Sequence, residues 1–138
     1  MCGITGYWAR RGDPAPWLNG LAGSVEALRA RGPDDNGVWV RPGGRVALGH
    51  TRLSILDLSP LGHQPMRSTD GSLQMVFNGE VYNFAAIRAE LETLGHRFRS
   101  SGDSEVILAA FQQWGPKAVD KFVGMFAIAL WNERGAEM

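Results

Sequence analysis

The chain has 138 residues, the size of one domain at about 150 residues each, and can bury roughly two-thirds of its unfolded surface. Hydrophobic residues make up 44% and charged residues 20%, a globular balance, and 14 Lys and Arg against 14 Asp and Glu give a net charge of +0. Neutrality removes the electrostatic basis for a nucleic-acid partner, and one cysteine with three scattered histidines offers neither a disulfide nor zinc-ligand spacing.

Ile4 to Ala9 reads as a short opening strand. Pro14 to Arg29 places Leu18, Leu21, Val25 and Leu28 at helical spacing, with Gly32-Pro33 as the stop; Gly20 and Gly23 weaken that helix by about 1 kcal/mol each relative to Ala. Val38–Val40 and Val46–Leu48 flank Arg41-Pro42-Gly43-Gly44-Arg45, the pattern of a hairpin whose second arm extends through Thr51 towards Leu56. Asp57 to Met66 is a Pro- and Gly-containing loop, and Leu73 to Phe77 a strand. Helices follow over Phe84–Leu94, entered from Asn83 and closed by Gly95, and over Asp103–Trp114, with Asp103 as N-cap and Gly115-Pro116 as the stop. A helical turn near Lys117–Phe122 leads into Met125–Trp131, whose apolar residues at every position predict a strand covered on both faces. Asn132–Gly135 reads as a turn and Ala136–Met138 as the start of a partner strand, so the chain is expected to be the front piece of a larger protein. The fold class is α+β, helices packed on sheets. The five Trp are expected to be mostly core residues.

Cys2 is the first chemical candidate. Removal of Met1 would put a thiol and a free α-amine on one residue, nucleophile and base together; the plain alternative is a frayed terminus. Asn78-Gly79 is the second. Between apolar runs it is a hairpin signal, while an Asn amide and a Gly N–H aimed at one point would stabilise an oxyanion during acyl transfer. Arg52 is a lone cation in an apolar strand, suited to a bidentate carboxylate. Asp103 caps a helix or accepts from a ligand ammonium, and with Arg52 it would make an amino-acid clamp. His50, His63 and His96 read as structural, and Arg97-Phe98-Arg99 as solvated surface.

Taken jointly, seven segments in order resemble the glutaminase domain of glutamine-dependent asparagine synthetases, class II glutamine amidotransferases of the N-terminal nucleophile hydrolase type. They are Met1–Gly6, Arg31-Gly32-Pro33-Asp34-Asp35 with Gly37, His50–Ile55, Gly62–Pro65, Asn78–Asn83, Gly102–Glu105 and Gly124–Ala127. The resemblance implies a four-layer αββα sandwich, with strands beyond Met138 needed to complete it. It implies Cys2 as nucleophile with its α-amine as base, and Asn78 and Gly79 as the oxyanion hole. Arg52 would hold the glutamine α-carboxylate, Glu80 and Asp103 its α-ammonium, and main-chain groups around Leu53 and Ile55 would complete the pocket.

The implied substrate is L-glutamine, the implied partner a C-terminal synthetase domain that activates aspartate with ATP and Mg²⁺; a homodimer is compatible. No cofactor is expected in these residues, since no Gly-rich phosphate loop occurs in them. No membrane is expected either: no run approaches about 18 apolar residues, and the N-terminus lacks a signal-peptide pattern. A lone thiol without a targeting segment points to the cytoplasm. Three alternatives stay open. The same glutaminase chemistry serves other acceptors, in polysaccharide-cluster and β-lactam-synthetase-like relatives. A non-catalytic glutamine-binding or docking module would keep the shape without reactive Cys2. An excised piece would melt without cooperativity.

Overall fold

The structure, a computed structural model, describes residues 1–55 and 58–138. In chain order its elements are β1 Gly3–Trp8, α1 Ala15–Ala27, β2 Asp35–Val40, β3 Val46–Arg52, β4 Met66–Arg67, β5 Leu73–Val81, α2 Phe84–Thr93, α3 Asp103–Trp114 and β6 Gly124–Asn132. Single turns of 3-10 helix cover Arg29–Arg31 and Pro60–Gly62, and a longer one Gly115–Lys121. Two antiparallel three-stranded sheets form, ordered β1-β3-β2 and β4-β5-β6.

The sheets stack through Val46 and Leu48 of β3, Val76 of β5 and Trp131 of β6, with Ile4, Trp39 and Ala129 around them. Beyond the second sheet, Leu73, Met75, Phe77 and Val81 meet Ile87 and Leu91 of α2 and Val106, Ile107 and Ala110 of α3. Each fully buried Val, Leu, Ile, Met or Phe among them contributes about 1.5–3 kcal/mol. On the outer face of the first sheet α1 lies close, because Gly49 leaves room for Val25 and Leu21. The layers therefore run helix, sheet, sheet, helices: the αββα order.

Five details depart from the sequence reading. Asn78-Gly79 does not turn a hairpin; β5 runs unbroken through it to Val81, paired along its length with β6. The strand covered on both faces is β3, central in its sheet and buried at all seven positions. β6 has an apolar run for a different reason: it is the last strand of its sheet among the described residues, and Met125 is 70% exposed. Gly102, not Asp103, is the N-cap of α3, so Asp103 lies inside the first turn with its side chain free for other work. β4 is a two-residue strand that starts at Met66, the last residue of the segment expected to be loop, fixed by pairing of Met66 with Met75 and of Arg67 with Gln74. The expected extension of the β3 arm ends at Arg52, and Leu56 and Asp57 lie outside the described residues.

Other expectations hold. α3 has the expected bounds and Gly95 at φ 94 terminates α2, whereas the expected strand after the last turn is a single isolated bridge of Glu137 with Asn132. Gly20 and Gly23 of α1 face open space, where a small side chain loses no packing. Of the tryptophans, Trp131 is buried and Trp39 and Trp114 pack against the two cores, whereas Trp17 is 62% exposed.

Candidate active site

One cavity of about 190 Å³ opens where β1, β3 and β5 end together. Its lining includes Cys2, Arg52, Leu53, Ile55, Asn78, Gly79, Glu80 and Asp103, so every residue singled out from the sequence reaches the same space. That volume lies below the ~300–1,000 Å³ of sites for drug-sized ligands and suits a small molecule.

Cys2 stands just ahead of β1. Gly3 lets the strand start close in, since a Cβ there would press on Thr51 Oγ1 at 2.6 Å and Leu28 Cβ at 2.8 Å. The Cys2 carbonyl accepts from Arg31 Nε at 3.1 Å. The thiol is half-buried and lies against the main chain of Leu53, whose N–H donates to Sγ at 3.3 Å and whose carbonyl accepts from it at 3.7 Å. Leu53 thus fixes the thiol, while Ile55, 69% exposed, stands at the rim.

The Arg31–Asp35 segment, matched in the sequence without a role, braces this corner. Gly32 packs against the Thr51–Arg52 peptide, where a Cβ has no room, Asp34 Oδ2 accepts from Ser54 N–H at 2.7 Å, and Asp35 Oδ2 meets His63 Nδ1 at 2.7 Å.

Arg52, 8% exposed, extends from the end of β3 along the cavity wall. Its Nη1 donates to the Ser59 carbonyl at 2.8 Å, and its guanidinium lies flat against Gly62, where any Cβ would collide with it. Asp103 lies across the cavity, 5% exposed, its Oδ2 accepting from Val81 N–H at 3.1 Å. Burial pushes its carboxyl above the ordinary range and Glu80 adds to that, against backbone N–H groups of Val81, Asp103 and Ser104 that pull it down. A cation at one end and two carboxylates at the other make a complement to a zwitterion.

The edge of β5 explains the centre. In an antiparallel strand the N–H and C=O of alternate residues point to the same side. On the side away from β6, Leu73 is bonded by Ser68, Met75 pairs with Met66 of β4, Phe77 is held by two side chains, and Val81 N–H goes to Asp103. The alternation directs Gly79 to that same side, facing the cavity. Gly79 has φ 146, and a Cβ would collide with the Met125 carbonyl and lie 2.5 Å from Phe126 Cα. Only glycine fits. Asn78 faces the first sheet beside it, with Oδ1 buried and unpartnered among the described residues.

Sequence reasoning missed two residues here. His50 is fully buried, and burial pushes its pKa down to about 4; Nε2 lies 3.2 Å from the Phe77 carbonyl. Gln64, 4% exposed, accepts from Phe77 N–H through Oε1 at 2.6 Å. Both lie within segments quoted for the resemblance, and only the three-dimensional meeting with Phe77 reveals what they touch.

The sequence profile of the family described as "Glutamine amidotransferase domain" matches residues 1–138. "Amidase chry2" of Gibberella zeae is 35% identical over 147 residues, covering 100% of this chain and 22% of that protein. "Asparagine synthetase [glutamine-hydrolyzing] 3" of Bacillus subtilis is 36% identical over 136 residues, covering 97% of this chain and 22% of that protein. The chain therefore spans about a fifth of the length of these curated relatives. In fold it is similar to the glutamine phosphoribosylpyrophosphate amidotransferase of B. subtilis, with a TM-score of 0.74 at 20% identity, covering 96% of this chain and 35% of that one.

Proposed function

This chain belongs to the glutamine amidotransferase domain family, and we propose that it hydrolyses L-glutamine to glutamate and ammonia through a thioester on Cys2. The observation that carries the reading is the convergence of Cys2, Arg52, Asn78, Gly79, Glu80 and Asp103 on one small cavity. Arg52 binds the substrate α-carboxylate by its planar fork, and Asp103 with Glu80 binds the α-ammonium. The side-chain amide then lies between Cys2 Sγ and the β5 edge.

With Met1 removed, the Cys2 α-amine takes the thiol proton and Sγ attacks the amide carbon. The developing oxyanion is held by the Asn78 amide and the Gly79 N–H, a contribution of about 2.7–4 kcal/mol per donor in acyl-transfer enzymes. Collapse breaks the C–N bond; the leaving nitrogen takes the proton back and departs as ammonia. Water, deprotonated by the same amine, attacks the thioester, and glutamate leaves as Cys2 regains its proton.

In the whole protein we place this ammonia at an ATP-dependent amidation of aspartate, a reading supported by the relatives named as glutamine-hydrolysing asparagine synthetases. The ATP and Mg²⁺ of that amidation we place in the proposed synthetase part. No helix among the described residues is long and apolar enough to cross a membrane, and the free Cys2 thiol suits a cytoplasmic setting. Glutamate release from glutamine tests the reading. Turnover that is abolished by Cys2→Ala supports it; turnover surviving that change refutes it.

A further inference from the structure

We infer that His50 and Gln64 form a positioning pair that fixes the Phe77 peptide and, through it, the oxyanion donors at Asn78 and Gly79. This rests on the glutaminase reading and adds to it how the hole is kept in register.

β4 ends at Arg67, and its pairing covers the β5 edge only at Met75 and Gln74. Beyond it, Phe77 presents an N–H and a C=O that no strand among the described residues receives. Gln64 Oε1 takes the N–H at 2.6 Å and His50 Nε2 the carbonyl at 3.2 Å. Two side chains, one from a loop and one from the facing sheet, thus stand in for a missing strand at the residue next to Asn78. Both are almost wholly inaccessible, so neither bond exchanges freely with water.

The chemistry of each group fits its place. A Gln Oε1 is an acceptor only, as Phe77 N–H requires. His50, kept neutral by burial, has one N–H and one lone pair, and a carbonyl partner assigns the proton to Nε2. Its Nδ1 is buried and unpartnered among the described residues, so the ring buries a polar atom in order to make this single bond. An apolar side chain would have filled the space between the sheets without that cost. Leu48, two residues earlier on the same face of β3, does so.

The positioning acts on the transition state. Oxyanion donors are used fully only when the carbonyl becomes tetrahedral, so a tilted Phe77–Asn78 peptide lowers kcat and leaves KM in place. A misplacement near 1 Å is worth up to about 100-fold.

The test uses the intact protein and three variants. Gln64→Met keeps length and removes the acceptor, His50→Leu removes the donor, and His50→Gln restores an amide N–H near the Nε2 position. For each, kcat and KM for glutamine are measured beside the rate at which iodoacetamide alkylates Cys2. That alkylation displaces iodide and forms no oxyanion, so it reports nucleophile and fold alone. We expect kcat to fall about 10- to 100-fold in Gln64→Met and His50→Leu, with KM within twofold and alkylation unchanged, and His50→Gln to recover most of it. Should His50→Leu fail to fold, Gln64→Met and His50→Gln decide. Unchanged kcat, or kcat, KM and alkylation damaged together, overturns the pair as positioning residues while the glutaminase reading stands. A wild-type protein that alkylates yet releases no glutamate overturns both.

Discussion

Asp103→Asn separates the needs of the fold from those of the substrate. The carboxylate is 5% exposed and faces a cavity of about 190 Å³, so an ammonium held there is bound with little intervening water. A charge-assisted hydrogen bond contributes about 1.5–3 kcal/mol, which converts to a KM for glutamine higher by about 10- to 150-fold, with kcat much less affected. Stability moves the other way. The folded pKa of Asp103 is raised above its ordinary 3.8, so the folded state holds that proton more tightly than the unfolded chain does. The stabilisation is present below 3.8 and is lost as pH rises through the raised value. Asn still accepts from Val81 N–H and carries no charge, although it gives up about 0.3–1 kcal/mol of helix-dipole attraction at the first turn of α3. Melting curves at pH 4 and pH 7 should therefore show the variant gaining on the wild type as pH increases. The wild-type KM should also worsen on the acid side at a pH above the usual carboxylate range, a dependence the variant lacks. An unchanged KM, or a Tm deficit that widens from pH 4 to pH 7, would refute this reasoning.

Arg52→Ala should raise the KM for glutamine more than it lowers kcat, read from initial rates over a glutamine series. Gly62→Ala should reproduce part of that effect without touching substrate, because the new methyl displaces the Arg52 guanidinium, a flexible group able to move; a variant with native KM would show that the clamp does not use this arginine pose. Gly79→Ala should cost both activity and fold: the positive φ costs about 1–3 kcal/mol and the collision with Met125 and Phe126 another 1–3. Urea unfolding measures that sum, and a loss under 1 kcal/mol would contradict the close approach of β5 and β6.

The layers were legible wherever local chemistry agreed with tertiary packing. α3 could be bounded because its polar start and Gly115 stop carry their own geometry, and Leu21 and Val25 mark the face of α1 that Gly49 admits. The Asn78-Gly79 hairpin signal failed because pairing across nine positions with β6 outweighs a two-residue turn preference. β6 misled for a related reason: an apolar run records what could cover a strand, and among the described residues β5 alone pairs along it. At the site, residue types were enough to nominate Cys2, Arg52, Asn78 and Asp103. They could not reveal Gly62 under the guanidinium, Leu53 on the thiol, or His50 and Gln64 on Phe77, since each joins residues distant in the chain and needs the fold to bring them together.

If Cys2 is the nucleophile of a glutamine pocket, it should react with a substrate analogue bound there. A glutamine-analogue diazoketone, followed by peptide mass spectrometry, tests it most directly. The expected result is one adduct on residue 2 of a protein lacking Met1, suppressed by excess glutamine. A cooperatively folded protein that retains Met1 or stays unlabelled at Cys2 would contradict it.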